Sequence, residues 1–291
     1  VRAMLAAALL GMAVSFPLPP ALPFSSSSSS LAPTYLPPAL RCLRGGSEAG
    51  ALAMQVSSTS VGENLKAVKE KISTCCSQHN LAPPNLVAVS KFQPVETILE
   101  AYQAGQRMFG ENYVQEIVSK APSLPEDIQW HFIGMLQSNK AKQLVSGVKN
   151  LEVVESVHSA KTATALNNAC MSAERRSPLK IYIQVLTSGE ESKSGCLPEE
   201  VIEIAQHVKS HCPALELKGL MTIGKLGDPN PEPYFALLRE CRKKLAESLQ
   251  MEETDLHLSM GMSGDFEKAI AAGSTSVRVG TSIFGERPPK Q

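Results

Sequence analysis

Leu86-Val87-Ala88-Val89-Ser90-Lys91 is an apolar run that closes on a hydroxyl and an amine. Its length and β-branched content predict a buried strand. Behind it, Pro94 to Ala104 carries a helical pattern that opens on proline and stops before Gly105, the usual order of start and stop signals. Arg107 to Phe109 then reads as a second short strand. Strand, helix and strand in this order are the unit of an alternating α/β sheet.

The alternation continues outward. Further strands are predicted at Trp130 to Gly134, Leu151 to Val154, Lys180 to Thr187, Leu215 to Ile223, Asp255 to Met260 and Ser276 to Gly280. Helical patterns separate them at Tyr113 to Lys120, Asn139 to Val145, Ala160 to Glu174, Pro198 to His211, Pro231 to Leu249 and Phe266 to Ala272. Upstream, Val61, Leu65, Val68, Ile72 and Cys75 or Cys76 recur at helical spacing, with Ala82-Pro83-Pro84 expected to end that helix. Eight strands, each followed by a helix or a short turn, match a (β/α)8 TIM barrel in number, order and size. A doubly wound open sheet is the alternative, weakened because no G-x-G-x-x-G follows the first strand.

The composition is that of an ordinary soluble domain. The 291 residues hold 28 Lys and Arg against 28 Asp and Glu, and 43% are hydrophobic. A balanced charge offers no net field for nucleic acid. Arg239, Arg242, Lys243 and Lys244 cluster in one helical pattern, but Glu240 and Glu247 balance them. The seven cysteines are odd in number and contain no C-x-x-C pair, which argues against a disulfide scaffold and favours a reducing compartment.

Residues 1 to 53 differ from the rest, with Arg2, Arg41 and Arg44 against Glu48 alone, seven prolines, and a serine run from Ser25 to Ser30. Ser-rich, acid-poor sequence of this kind reads as an organelle transit peptide, for mitochondrion or plastid. Ala3 to Val14 behind Arg2 is the competing signal-peptide reading, and it is too short to span a membrane. Translation from Met54 would give a cytosolic protein. The expected organisation is therefore an extension over 1–53 and a barrel over 54–291.

In a barrel of this type, functional groups sit where strands end. Lys91 closes the first strand. Burial there lowers an amine's pKa and frees it to attack a carbonyl and form a Schiff base. A lysine that merely opens a solvated loop is the alternative. After the seventh and eighth strands come Ser259-Met260-Gly261-Met262-Ser263-Gly264-Asp265 and Arg278-Val279-Gly280-Thr281-Ser282. Such small-residue turns expose backbone N–H groups and hydroxyls that cradle phosphate, at the usual phosphate position of this fold. An amine on strand one and a phosphate cradle on strands seven and eight are together what pyridoxal phosphate requires.

The stretches AVSK (88–91), FGENYVQE (109–116), WHFIG (130–134), LQSNK (136–140), GLMTI (219–223), SMGMSGDFEKAI (259–270) and GSTSVRVGTSIFG (273–285) resemble the pyridoxal-phosphate homeostasis protein family, also called the proline synthase co-transcribed homologues. The resemblance runs from about residue 61 to 287. It implies a fold-type III pyridoxal-phosphate-binding barrel like the alanine racemase N-terminal domain, with Lys91 as the Schiff-base lysine. It further implies phosphate contacts from Ser263, Gly280 and Thr281, Arg278 at the phosphate or the pyridine nitrogen, and Asn112 and His131 lining the pocket. Leu186 stands where the family usually has asparagine, and Met135 where bacterial members carry proline.

These parts fit a carrier or an enzyme. Alanine-racemase-like catalysis takes its second base from a tyrosine of a separate C-terminal β-domain, and here the sequence stops soon after the eighth strand, leaving Tyr102, Tyr113, Tyr182 and Tyr234 within the barrel region. The expectation is a non-catalytic, monomeric pyridoxal 5′-phosphate carrier in vitamin B6 and amino-acid homeostasis, with pyridoxal-phosphate-dependent apoenzymes as recipients and no nucleic-acid or membrane partner. A racemase or transaminase of modest activity is the runner-up, and a cofactor-free Schiff-base aldolase the third reading.

Overall fold

The computed structural model describes residues 60–190, 194–225 and 227–286. The extension over 1–53 and the start at Met54 lie outside the described residues.

Eight parallel strands close into one barrel in sequence order: β1 (Asn85–Val89), β2 (Met108–Glu111), β3 (Gln129–Phe132), β4 (Leu151–Val157), β5 (Leu179–Gln184), β6 (Leu215–Met221), β7 (His257–Ser259) and β8 (Ser276–Val279). Closure is made by β8 on β1, in register from Asn85↔Ser276 to Ala88↔Val279, so the open-sheet alternative does not hold. The helices alternate with the strands: α1 (Val61–His79), α2 (Val95–Gln103), α3 (Val114–Lys120), α4 (Ala141–Gly147), α5 (Ala160–Ser172), α6 (Val201–His211), α7 (Glu232–Leu249), α8 (Phe266–Ala271) and α9 (Thr281–Phe284).

Strands covered on both faces need apolar side chains both ways, which is why these runs are continuous rather than alternating. Ala88, Phe109, Trp130, Phe132, Val154 and Val279 are buried in the core shared with the helices. A small separate cluster of Val153, Tyr182 and Met221, with Ile223 packed on it, comes from β4 to β6.

α1 begins in a capping box: Ser60 Oγ accepts from the Glu63 amide at 3.2 Å and Glu63 returns the bond to the Ser60 amide at 2.9 Å. It packs on α2, α8 and α9, filling the helical ring beside the β8–β1 seam. The helix stops at Asn80, whose φ of 54° caps it in the left-handed region, earlier than the prolines predict.

Two strands also end differently from expectation. β5 stops at Gln184 because Leu186 turns aside to donate its amide to the Cys196 carbonyl at 2.9 Å, so Leu186 lies beyond the strand rather than on its last residues. β7 starts only at His257, because Glu253–Asp255 forms a 3-10 turn. The six cysteines within the described residues are buried free thiols. On α7, Lys244 pairs with Glu240 at 2.8 Å and Arg242 with Glu253 at 3.2 Å. Among the described residues no helix is long and apolar enough to cross a membrane.

Candidate functional site

The loops that follow the strands at their C-terminal ends surround a cavity of about 460 Å³. β1 brings Lys91, which follows Ser90 directly and is half-buried. β2 leads to Asn112, β8 to Arg278, Gly280 and Thr281, and the β7–α8 loop to Ser263. Six of the seven predicted site residues thus line one space. His131, the seventh, is not a lining residue of the cavity: it is buried, with Nδ1 2.6 Å from Glu155 Oε1. Leu186 is not among the lining residues either, and Met135 is exposed.

At one end of the cavity, backbone donors from two loops converge. The amides of Gly280 and Ser282 both point at the Ser263 hydroxyl, at 3.2 and 3.5 Å. Two loops from neighbouring strands therefore converge donors on one place, the arrangement that binds a phosphate. Gly261 makes the β7–α8 loop possible: its φ is +97°, and a Cβ there would lie 2.6 Å from the Ala269 Cβ. At another wall, the Asn112 side-chain oxygen is buried without a hydrogen-bond partner. A polar atom in that condition next to a cavity is poised for a ligand donor.

Sequence reasoning did not single out the other lining groups: Val89, Ile133, Ile223 and Met262 give apolar surface, and Lys225, Asp228 and Asp265 give charge. Val89, Ile133, Ile223, Met262 and Asp265 fall inside the family-like motifs, yet nothing in one sequence separates a lining residue from its neighbour. Asp228 is held below the usual carboxylate range by hydrogen bonds from the Tyr234 phenol and the Asn230 amide. Asp265 accepts from the Met262 amide at 2.6 Å, bracing its own loop.

A buried polar chain also connects with this cavity. Glu155 Oε2 accepts from Ser259 Oγ at 2.5 Å. Arg278 donates to Ser259 Oγ and to the Thr222 carbonyl, at 2.5 and 2.7 Å. Burial alone would raise the Glu155 carboxyl, but the His131 hydrogen bond and the His131 and Arg278 charges outweigh it and hold it low. Arg278 is thus anchored from below while it lines the cavity. Glu155 lies just past the predicted end of the fourth strand at Val154, because β4 runs on to Val157, and Ser259 opens the small-residue turn after the seventh, yet neither carried a signal of its own in the sequence.

A wider depression of about 590 Å³ lies on the outer wall, lined only by residues of α1 and α8. It contains no strand-end residue, so the strand-end cavity is the candidate site.

Comparison with known proteins agrees with the barrel fold. The family described as "Alanine racemase, N-terminal domain" matches residues 64–288. The chain is 44% identical to the mouse pyridoxal phosphate homeostasis protein over 258 residues, covering 84% of this chain and 91% of that one. It is 51% identical to the Schizosaccharomyces pombe protein of the same name, over 71% of this chain and 85% of that one. Among solved structures it resembles PipY of Synechococcus elongatus with pyridoxal phosphate bound, at 35% identity and a TM-score of 0.62, covering 78% of this chain and all of that one. Alanine racemase from Corynebacterium glutamicum shares the fold alone, at 15% identity and a TM-score of 0.60, over 78% of this chain and 61% of that one. On the identity, the coverage and the barrel together, the chain belongs to the pyridoxal phosphate homeostasis protein family.

Proposed function

We propose that this protein holds pyridoxal 5′-phosphate as a Schiff base on Lys91 and serves cofactor homeostasis rather than substrate turnover. The observation that carries the reading is the shared cavity, which joins the Lys91 amine to the donors around Ser263, Gly280 and Ser282. The residues fit the cofactor: an amine for the aldehyde, converging N–H groups for the phosphate, and the unpartnered Asn112 oxygen for a ligand donor.

When bound, pyridoxal phosphate supplies an aldehyde and an electron-withdrawing ring. Ser263, Gly280 and Thr281 hold the phosphate end. Arg278 stays a cation under all ordinary conditions, and its place in the cavity disfavours a second positive charge on a ring nitrogen next to it. Val89, Ile133 and Ile223 give the cavity an apolar wall.

Carriage is supported over turnover by the character of the lining. Two-sided proton exchange on an amino acid needs a second base. The described lining contains no histidine, cysteine or tyrosine, Asp228 is held low, Asp265 braces its loop, and Lys225 is the one amine there besides Lys91. Tyr182 sits elsewhere, its phenol 3.1 Å from His257 Nδ1 and pushed up by burial. Delivery to apoenzymes that depend on the cofactor follows from a carrier role. Residues 1 to 53 are read as an address to mitochondrion or plastid, which a fluorescent fusion of that stretch would test.

The visible spectrum before and after borohydride, with mass mapping of the peptide that contains Lys91, tests the assignment. A borohydride-sensitive band and a pyridoxyl adduct on Lys91 are expected. A protein that pyridoxal phosphate cannot colour would sink the site. Racemase or transaminase turnover lost on Lys91→Ala would overturn the carrier reading in favour of an enzyme.

A further inference from the structure

Lys91 is flanked by two peptide groups, and both are tethered to one ion pair, whose lysine is buried and whose acid is half-buried. The Ser90 carbonyl accepts from Lys120 Nζ at 3.0 Å. The Phe92 amide donates to Glu116 Oε1 at 2.5 Å. Lys120 and Glu116 are themselves joined at 2.5 Å, one turn apart on α3 with the acid nearer the N-terminus, the favourable order for such a pair. Lys120 also reaches Glu111 Oε1 at 2.9 Å, and Glu111 in turn accepts from Ser90 Oγ at 2.8 Å.

Two features show that this cluster does more than fill space. Phe92 has a φ of 63°, a left-handed conformation that a residue with a Cβ keeps only when its surroundings impose it. The bond to Glu116 falls on that residue's own amide. Glu111 is fully buried and Lys120 nearly so. A buried ion pair contributes little to stability compared with apolar packing of the same volume, and fixing one geometry is a role such pairs can serve.

We infer that Glu116 and Lys120 are positioning residues that clamp the backbone on both sides of Lys91 and so aim its amine into the cavity. This inference rests on the Schiff-base reading of Lys91. The clamp acts before any ligand arrives, since every bond in it is internal to the chain. Its effect is confined to ligands that bond to the amine. A ligand held by the phosphate cradle alone gains nothing from it.

The test uses the full chain with Glu116→Ala, and Glu116→Gln as the conservative variant that keeps an acceptor for Phe92. Without ligand, hydrogen exchange of the Phe92 amide is expected to rise about tenfold or more in Glu116→Ala and less in Glu116→Gln. Affinity for pyridoxal phosphate is expected to fall about tenfold in Glu116→Ala, while that for pyridoxine 5′-phosphate, an alcohol that cannot bond to lysine, stays within about twofold. Unchanged Phe92 exchange, or equal loss for both ligands, would overturn the clamp. A wild-type protein that binds both ligands equally, yet loses Phe92 protection on Glu116→Ala, would keep the clamp and fault the Schiff-base reading instead. If Glu116→Ala folds poorly, Glu116→Gln carries the comparison, with a smaller loss in the same direction.

Discussion

His131 Nδ1 lies 2.6 Å from Glu155 Oε1, between adjacent strands β3 and β4 and away from solvent. Glu155 spends its second oxygen on Ser259, and Ser259 accepts from Arg278. A line of polar contacts therefore runs from β3 through β4 and β7 to β8, and its last member is the one that lines the cavity. Floor and site are one hydrogen-bonded unit.

Removing one end of that line leaves a buried carboxylate short of a partner. His131→Ala is expected to lower the free energy of unfolding by about 3 kcal/mol, the usual cost of breaking a buried pair from one side. Urea unfolding at neutral pH measures it. A change within about 0.5 kcal/mol would mean that the pair contributes nothing to the fold.

Gly134 follows β3 and faces the backbone that carries Asn112. A Cβ on it would lie 1.9 Å from the Asn112 carbonyl oxygen, and backbone cannot yield as a side-chain end can. Gly134→Ala is expected to shift the Asn112 segment and to cost about 1–3 kcal/mol, the range for overpacking. Thermal unfolding measures the cost, and weaker pyridoxal phosphate binding should accompany it. An unchanged melting temperature would show that the loop relaxes freely.

The order of strands and helices was legible because short apolar, β-branched runs alternate with helical patterns that proline and glycine punctuate. Val87 to Val89 and Val277 to Val279 read as strands on their own. The meeting of Ser263, Gly280 and Thr281 at one cavity was legible too, since all three stand in small-residue turns at predicted strand ends. The Glu155–Ser259–Arg278 line was not, because hydrogen bonds between β4, β7 and β8 join residues whose spacing carries no period. His131 shows the same limit: its place after a strand start is visible, but not that its ring reaches Glu155 instead of the cavity.

His257 gives the fold a pH dependence of known sign. Burial, then the Lys218, Lys180 and His131 charges, hold its imidazole below the ordinary value of 6.5. The folded state thus prefers the neutral ring. That contribution is present above the unfolded value and is lost as pH falls through the lower folded one. Stability of the wild type should decline as pH falls below about 6.5, and less so in His257→Gln. Urea unfolding across that range measures both slopes. Parallel slopes would assign the decline to other groups.

Ser263 offers the sharpest separation of binding from folding. Its hydroxyl meets the Gly280 and Ser282 amides, so it can be a phosphate contact or merely a staple between the β7 and β8 loops. The two roles predict different ligand dependence. As a phosphate contact, Ser263→Ala weakens pyridoxal phosphate about tenfold, a hydrogen bond to a charged group, and leaves binding of pyridoxal, which has no phosphate, unchanged. As a staple, the loss of the hydroxyl loosens both loops, the melting temperature falls, and both ligands weaken together. Titration of the two aldehydes against wild type and variant, with a thermal melt of each, decides between them. The phosphate contact is expected, because the two N–H groups already converge on one oxygen and the cavity opens beside it.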